Sequence, residues 1–364
     1  MSACDPPSRG SPNAASVSPR GATEPLETPD EDRPDRDGCE TLAPTRTDSI
    51  ELVVWHLTEQ LVALGHEVTL FATADSQTSA RLAPVLERGY CIPKAPIGDW
   101  LQCEWMNLCA AVARAGEFDV LHSHAYLYGL PLTRLARKPF VHTQHIQVSQ
   151  DNYEFARRHP EAYVTAISRY QWEQHPDIPL LAVIHHGLDP SFLAFQREPH
   201  DYLCFLGRFI PSKGPHRAIE LAKRVGMPLL MAGEPTPYFR LKIKPLVDGR
   251  FIQYVGRVDG EAKSRLLGGA RALIYHLESP EPFGLVMIEA MLSGTPVAAL
   301  SLGAVPEVVD YGVTGFYAKD LDHLVALMPD VLRLERMVIR RTAEQRFSAR
   351  RMATEYAAAY ARIA

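Results

Sequence analysis

The sequence predicts a two-domain α/β protein in which each domain is a parallel sheet covered by helices on both faces. Length is the first reason: 364 residues, 46% of them hydrophobic, exceed what one ordinary core accommodates and suffice for two. The second is an alternation of short β-branched and apolar runs with helical or loop stretches. The third is that this series stops at a polar joint near Arg197 to Asp201 and then begins again.

In chain order, Met1 to about Arg46 is rich in Pro, Ser, Asp and Arg and nearly devoid of large apolar residues. Such a segment cannot offset its ordering entropy, and residues 1–47 are expected to be a disordered tail. Asp48 or Ser49 can cap a helix carrying Leu52, Leu57, Leu61 and Leu64, with Gly65 where a helix commonly ends. Val68 to Ala72 then reads as a buried strand. Strand-like runs recur at Val120–Leu121, Phe140–His142, Val164–Ile167 and Leu181–Ile184. The second series has Tyr202–Leu206, Leu229–Met231, Phe251–Val255, Ala272–Tyr275 and Val297–Leu300. In parallel sheets ligands sit beyond the carboxyl ends of the strands, so the loops after these runs are where chemistry is expected.

Composition narrows the function. A net charge of -5 argues against a nucleic-acid partner, which calls for a dominant basic balance. Six cysteines, at 4, 39, 91, 103, 109 and 204, include no CxxC pair and read as reduced thiols of a cytoplasmic protein. No apolar run approaches the ~18 residues that cross a bilayer, and the start lacks the apolar core of a signal peptide. The Asp-x-Asp spacings, Asp30 with Asp32, Asp35 with Asp37 and Asp320 with Asp322, follow no strand-like run and read as solvated charges. No metal is expected.

The most informative loop runs from Glu278 to Ala290 and holds Glu281 and Glu289, eight residues apart. Two carboxylates suggest a glycosidase, but along one helix eight residues span about 12 Å, whereas a retaining glycosidase pair needs about 5 Å. Pro280 and Pro282 make the first half a loop, so the helix should begin near Phe283 or Gly284. The free amides at that start, around Phe283, Gly284 and Leu285, form an anion site suited to a diphosphate. Glu289 would then reach a ribose hydroxyl while Glu281 faces the sugar. The plainer alternative makes Glu281 a helix cap and Glu289 a surface residue.

Downstream of this loop come Ser293-Gly294-Thr295-Pro296-Val297 and Gly303-Ala304-Val305-Pro306-Glu307-Val308-Val309. With Glu281-x7-Glu289 they resemble the retaining glycosyltransferases of family 4, over about residues 49 to 360. The resemblance implies the GT-B fold, two Rossmann-like domains facing across a cleft. Residues 48–198, completed by a returning C-terminal helix at 346–364, would form the acceptor domain, and 199–345 the nucleotide-sugar donor domain.

Within that plan, Gly207-Arg208-Phe209-Ile210-Pro211-Ser212-Lys213-Gly214 resembles the family's basic diphosphate clamp. Arg208 and Lys213 would neutralise charge that develops as a nucleoside diphosphate departs. Asp119-Val120-Leu121-His122-Ser123-His124 resembles its His-x-His element, in which His124 is favoured to touch the sugar or acceptor. Two histidines at i and i+2 on a strand point the same way and also suit a metal, but no third ligand stands at a convincing spacing. His142 and His145 occupy the next strand end and are expected to line the same cleft.

Three departures stand out, the mildest being Gly303-Ala304 in place of the family's double glycine. His186 replaces the usual Asn before Gly187, and Thr41 to Ser49 lacks the opening strand and glycine-rich loop of the family. The resemblance implies retaining transfer from a nucleotide sugar to an acceptor (a sugar, lipid or small molecule), by front-face attack that needs neither a protein nucleophile nor a metal and no cofactor beyond the donor. Alternatives are a GT-B sugar-nucleotide epimerase, or a catalytically weakened donor-binding relative. Arg340, Arg341, Arg346, Arg350 and Arg351 read as a solvated basic helix face in preference to a weak peripheral contact with an anionic membrane.

Overall fold

The computed structural model describes residues 49–87 and 100–364. The expected tail, the stretch Thr41 to Asp48, Cys4, Cys39, Cys91 and the first two Asp-x-Asp pairs lie outside the described residues. The first helix, α1 (Ser49–Ala63), leads to strands β1 (Thr69–Thr73) and β2 (Arg81–Leu86), which pair in parallel. After α2 (Trp100–Ala113) come β3 (Leu121–Ser123), α3 (Thr133–Ala136), β4 (Phe140–Thr143), α4 (Gln150–Arg157), β5 (Tyr163–Ala166) and β6 (Leu180–Val183). The last four strands form a parallel sheet in the order β3-β4-β5-β6. Among the described residues no strand joins β1 to β3, so this half carries two separate sheets. The sequence reading passed over β2 because Pro84 interrupts it; a proline is tolerated there because β2 pairs on one side only.

The second half is one six-stranded parallel sheet. Its strands and helices are β7 (Leu203–Leu206), α5 (Pro215–Val225), β8 (Leu229–Ala232), β9 (Ile252–Tyr254), α6 (Gly260–Gly269), β10 (Ala272–Tyr275), α7 (Leu285–Leu292), β11 (Val297–Leu300), α8 (Val305–Val308), β12 (Gly315–Ala318) and α9 (Leu321–Val331). The strand order is β12-β11-β10-β7-β8-β9. Every residue of β10 and β11 is buried, which is why these strands read as unbroken apolar runs: both faces are covered. Leu203, Phe205, Met231, Ile274 and Ala298 pack with α5 and α9 on one face. Cys204, Leu273, Tyr275, Val297 and Ala299 pack with α6 and α7 on the other.

The expectation that Asp320 and Asp322 follow no strand is corrected here, because both come after β12. Asp320 caps α9 by accepting from the His323 amide, and Asp322 pairs with Arg224 at 2.7 Å. The strand β12 escaped notice because it opens on Gly315 and supplies only four residues.

The chain ends with α10 (Arg336–Phe347) and α11 (Ala349–Tyr360). Met352, Ala353, Tyr356 and Ala359 bury themselves against Val53, Leu57 and Leu61 of α1, joining the last helix to the first. The basic residues of this region are not a uniform solvated face. Arg340 donates to the carbonyls of Leu193 and Pro190, Arg346 to those of Val308 and Glu307, and Arg351 to those of His185 and His186. Each is at most part-exposed, and they tie the C-terminal helices to the loops leaving both large sheets. Arg341 and Arg350 are the exposed pair.

Glu104, on α2, is 4% exposed and its Oε1 has no hydrogen-bond partner. Burial pushes its carboxyl from 4.5 up to about 8. Because the unfolded chain ionises at the lower value, the folded state loses stability as pH rises from there through the higher one. Glu104→Gln is therefore expected to raise the melting temperature relative to the parent at pH 8. The advantage should vanish at pH values below the ordinary glutamate range, as thermal denaturation across pH will report.

Candidate active site

At the carboxyl end of β10, Tyr275 donates its phenolic proton to Glu281, and Lys213 forms an ion pair with the same carboxylate. Lys213 ends a short turn after β7, Tyr275 is the last residue of β10, and Glu281 lies in the loop before α7, so three segments meet at one carboxylate. Burial pushes the Tyr275 phenol up, which keeps it a neutral donor. Behind the carboxylate, Gly303 has φ +59, and a Cβ there would lie 2.3 Å from the Glu281 carbonyl oxygen. The Ala304 amide closes the contact by donating to that oxygen at 3.0 Å.

The helix α7 starts one residue later than expected, with Gly284 at its N-cap in a left-handed conformation, φ 88. A Cβ on Gly284 would come within 2.5 Å of the Tyr275 hydroxyl, so a side chain there would push out the donor that holds Glu281. No side chain caps this helix, and the plain reading of Glu281 as a cap is set aside. The amides of Leu285 and Val286 donate to nothing among the described residues, leaving them available to an anion.

Glu289 is not a surface residue: it is 6% exposed and paired with Lys263 of α6 at 2.5 Å. The two glutamates are thus held by different lysines on different elements, which does not suit a paired acid and nucleophile. Phe283 is 2% exposed and packs against the rings of His185, His186 and Phe347, so it anchors the loop through its side chain and offers a ligand only backbone. Gly207 leaves β7 with its amide bonded to Ala232 O at 3.1 Å, and Arg208 stands exposed beside it.

The ends of β3 and β4 carry the histidines. His122 and His124 point the same way, their rings 4.0 Å apart. His122 is held on both nitrogens, Nδ1 by Tyr360 at 2.7 Å and Nε2 by Thr143 at 2.7 Å, so it serves the junction with α11. His142 is buried and bonded to Thr133 at 3.0 Å, away from the others. His124 differs: its Nδ1 meets His145 Nε2 at 3.0 Å, its Nε2 bonds nothing among the described residues, and it is half-buried. Burial lowers the His124 pKa to about 3 and that of His145 well below the ordinary value, so both rings are neutral at pH 7. His145 Nδ1 is buried without a partner. A buried N–H left unpaired is rarer than an unpaired acceptor, so His145 carries its proton on Nε2 and donates to His124. His124 then presents Nε2–H outward, a neutral donor suited to a sugar hydroxyl.

These two sets of strand ends face each other. Ser168, after β5, donates to Pro282 O at 2.5 Å. Glu307 of α8 accepts from the amides of Arg169 and Tyr170 and from His185 Nε2 at 2.7 Å. Burial alone would lift the Glu307 carboxyl, but the bonds from His185 and the two amides outweigh it and hold the pKa below the ordinary value. His186 stacks on His145 at 5.2 Å and meets Phe283 edge-on at 4.9 Å.

Both halves of this arrangement match known families. A model described as Glycosyltransferase Family 4 matches residues 50–192, and one described as Glycosyl transferases group 1 matches 194–347. The chain belongs to glycosyltransferase family 4. This family 4 enzyme is 28% identical over 314 residues to the D-inositol 3-phosphate glycosyltransferase of Mycolicibacterium smegmatis, covering 70% of this chain and 71% of the relative. It is 27% identical to a glycogen synthase of Mycobacterium tuberculosis, over 77% and 81%. Its GT-B fold matches AviGT4, a glycosyltransferase involved in avilamycin A biosynthesis, with a TM-score of 0.67 and 26% identity over 89% of this chain and 92% of that one. The Anabaena protein Alr3699/HepE, solved with UDP and glucose, has the same fold at a TM-score of 0.67 and 19% identity, over 89% and 98%.

The geometry of the glycosyltransferase brings Lys213, Glu281, Gly284 and Leu285 together, and groups His124 separately with His145. Sequence reasoning missed Tyr275, Lys263, Ser168 and Glu307. Only Glu307 had a signal, its place in the Gly303–Val309 motif.

Two outcomes follow from this geometry. Nitrogen-15 NMR of the His124 ring is expected to show the Nε2–H tautomer at pH 7, and a pattern with the proton on Nδ1 would refute the assignment. Glu307→Ala is expected to cost about 1–3 kcal/mol at neutral pH, since it orphans two amides and a histidine. The parent's advantage over this variant should shrink as pH falls through and below the ordinary glutamate value of 4.5, because a carboxylate with a depressed folded pKa stabilises only while it is ionised. Equilibrium unfolding at several pH values measures both parts.

Proposed function

We propose that this enzyme transfers a sugar from a nucleoside-diphosphate donor to an acceptor hydroxyl with retention of anomeric configuration. One observation carries the reading: at the carboxyl end of β10 the Lys213 ammonium pairs with Glu281, in the loop that leads directly into the uncapped amides of α7. A diphosphate needs that combination of a mobile cation and fixed N–H dipoles. Arg208, exposed on the loop that carries Lys213, is the second cation of the proposal. Gly207 and Gly284 let the donor approach the backbone, and Glu289, steadied by Lys263, is assigned to the ribose. The UDP and glucose named for the HepE complex support a donor of this chemistry, and transferase names among the relatives favour transfer over epimerisation.

In the proposed step the acceptor oxygen bonds to the anomeric carbon as the bond from that carbon to the phosphate oxygen breaks. The acceptor's proton passes to the departing phosphate, whose negative charge Lys213 and the α7 amides stabilise. His124 donates Nε2–H to a sugar hydroxyl and orients the ring. Neither a protein nucleophile nor a metal takes part in this scheme, and a cytoplasmic location goes with it. A weakened binding protein of the same fold is the reading to set against it.

Incubation with UDP-glucose, ADP-glucose and GDP-mannose, each with candidate sugar, lipid and small-molecule acceptors, is expected to release nucleoside diphosphate with at least one pair. Binding without release would overturn transfer, and an isomerised donor would replace it with epimerisation. Lys213→Ala is expected to lower kcat/KM about ten- to a hundredfold through loss of a charge-assisted bond in the transition state. His124→Ala should lower kcat with little change in nucleoside diphosphate affinity. Unchanged kinetics in both variants would remove the site.

A further inference from the structure

A cavity of about 410 Å³ opens at the amino-terminal ends of β10 and β11, opposite the strand ends described above. Arg197, Arg271, Arg333 and Arg336 line it together with Glu198 and Glu335. Its volume falls within the ~300–1,000 Å³ of small-molecule sites.

Four guanidinium groups and two carboxylates share its wall, and of the four Arg333 is paired with Asp330 at 3.0 Å. Arg336 is 8% exposed. Its Nε donates to Gln196 O at 2.7 Å, Nη1 to Ala270 O at 2.8 Å, and Nη2 to Gly268 O and to Thr295 Oγ1 at 3.0 Å. All four acceptors are neutral, and no carboxylate pairs with this guanidinium among the described residues. Hydrogen bonding is therefore met by neutral partners, and Glu198, which forms no ion pair with it, is the carboxylate whose charge favours the guanidinium against the cost of burial. Arg271 reaches a carboxylate only at 3.9 Å, and that residue, Asp201, is 90% exposed on its side chain, so the pair contributes little. Arg197 makes no ion pair or hydrogen bond among the described residues. Of the two acids, Glu335 is committed to capping α10, where it accepts from the Met337 and Val338 amides.

We infer that this cavity binds a phosphate monoester, with Arg271 and Arg197 contacting the phosphate and buried Arg336 supplying charge behind them. Guanidinium groups suit this role because their planar forks match phosphate oxygens in pairs. The walls also say what such a ligand would do. Residues 197–199 belong to the segment that leads from β6 into β7, and 332–336 to the segment joining α9 to α10, by which the chain returns toward α1. An anion held between them fastens the outgoing and returning crossings of the chain to each other. The cavity therefore lies at the crossing between the two halves, apart from the groups at the other ends of the strands.

The test uses the full chain, titrated calorimetrically and by thermal shift with inorganic phosphate, glucose 6-phosphate and glucose. Saturable binding of glucose 6-phosphate or phosphate, but not glucose, is expected, with a rise in melting temperature. The stronger of the two identifies a sugar phosphate or free phosphate as the ligand. Arg271→Gln and Arg197→Gln, each at a position with exposed or half-exposed side chains, should weaken it about tenfold, and Lys213→Ala should leave it unchanged. No saturable binding, or binding lost in Lys213→Ala and kept in Arg271→Gln, would overturn the inference. The second pattern would assign the phosphate to the donor groups and leave the proposed transfer reaction standing.

Discussion

The carboxylate of Glu281, held between the Lys213 ammonium and the Tyr275 phenol, is the contact on which the path from β10 to α7 depends. Tyr275 ends a strand buried at every residue, so its hydroxyl is positioned by the sheet and not by the loop. Lys213 comes from a different strand end. Because Glu281 satisfies both, a segment with two prolines and no regular structure acquires a defined path, and α7 begins at a defined point with its first amides uncovered. The same contact shapes the electrostatics. Lys213 is neutralised by a resident carboxylate before any ligand arrives, and an incoming diphosphate would compete for a cation that already has an anionic partner. Such exchange keeps a part-buried ammonium from standing alone at an energetic cost while leaving it able to respond as leaving-group charge develops.

The strand ends of the two large sheets are held facing each other by polar contacts beside an apolar cluster in which Ile167 and Leu188 pack with Phe283 and Met287. Glu307 gathers two backbone amides and a histidine from the loops after β5 and β6, and Ser168 reaches the carbonyl of Pro282 beside the start of α7. Arg346 and Arg351 then bind carbonyls on both sides of the same seam from the C-terminal helices. A guanidinium with several neutral oxygen acceptors is directional, so these residues set the orientation of α10 and α11 as well as stabilising it. Loops that would otherwise be mobile surface become fixed walls of the cleft.

Much of this was legible locally. Prolines 280 and 282 followed by Gly284 place the helix start within a residue, and the buried strands of the second sheet declare themselves as apolar runs. What escaped was either interrupted or distant. Pro84 and Gly315 disguise β2 and β12, whose four to six residues carry too little pattern to overcome a breaker. Lys263 meets Glu289 across 26 positions and Ser168 meets Pro282 across 114. No periodicity connects such residues, because the sheet topology alone brings them together. The C-terminal arginines were misread for a related reason: a helix rich in Arg looks solvated unless the carbonyls waiting for it are known.

The two halves of the cleft differ in kind, and the difference follows from burial. On the side of the second sheet, lysines 213 and 263 are paired with glutamates, so charge is present there as ion pairs. On the side of the first sheet, His124, His145 and His186 form a run of contacting rings whose charged forms are suppressed by desolvation. Rings that stay neutral cannot attract a diphosphate away from the opposite side, yet they still donate and accept single hydrogen bonds. A sugar carries many hydroxyls and no charge, whereas its leaving group carries charge and few donors. An acidic or cationic side chain in place of His124 would blur that separation, and the neutral column running to Phe283 preserves it by leaving charge to one wall of the cleft and hydrogen-bond direction to the other.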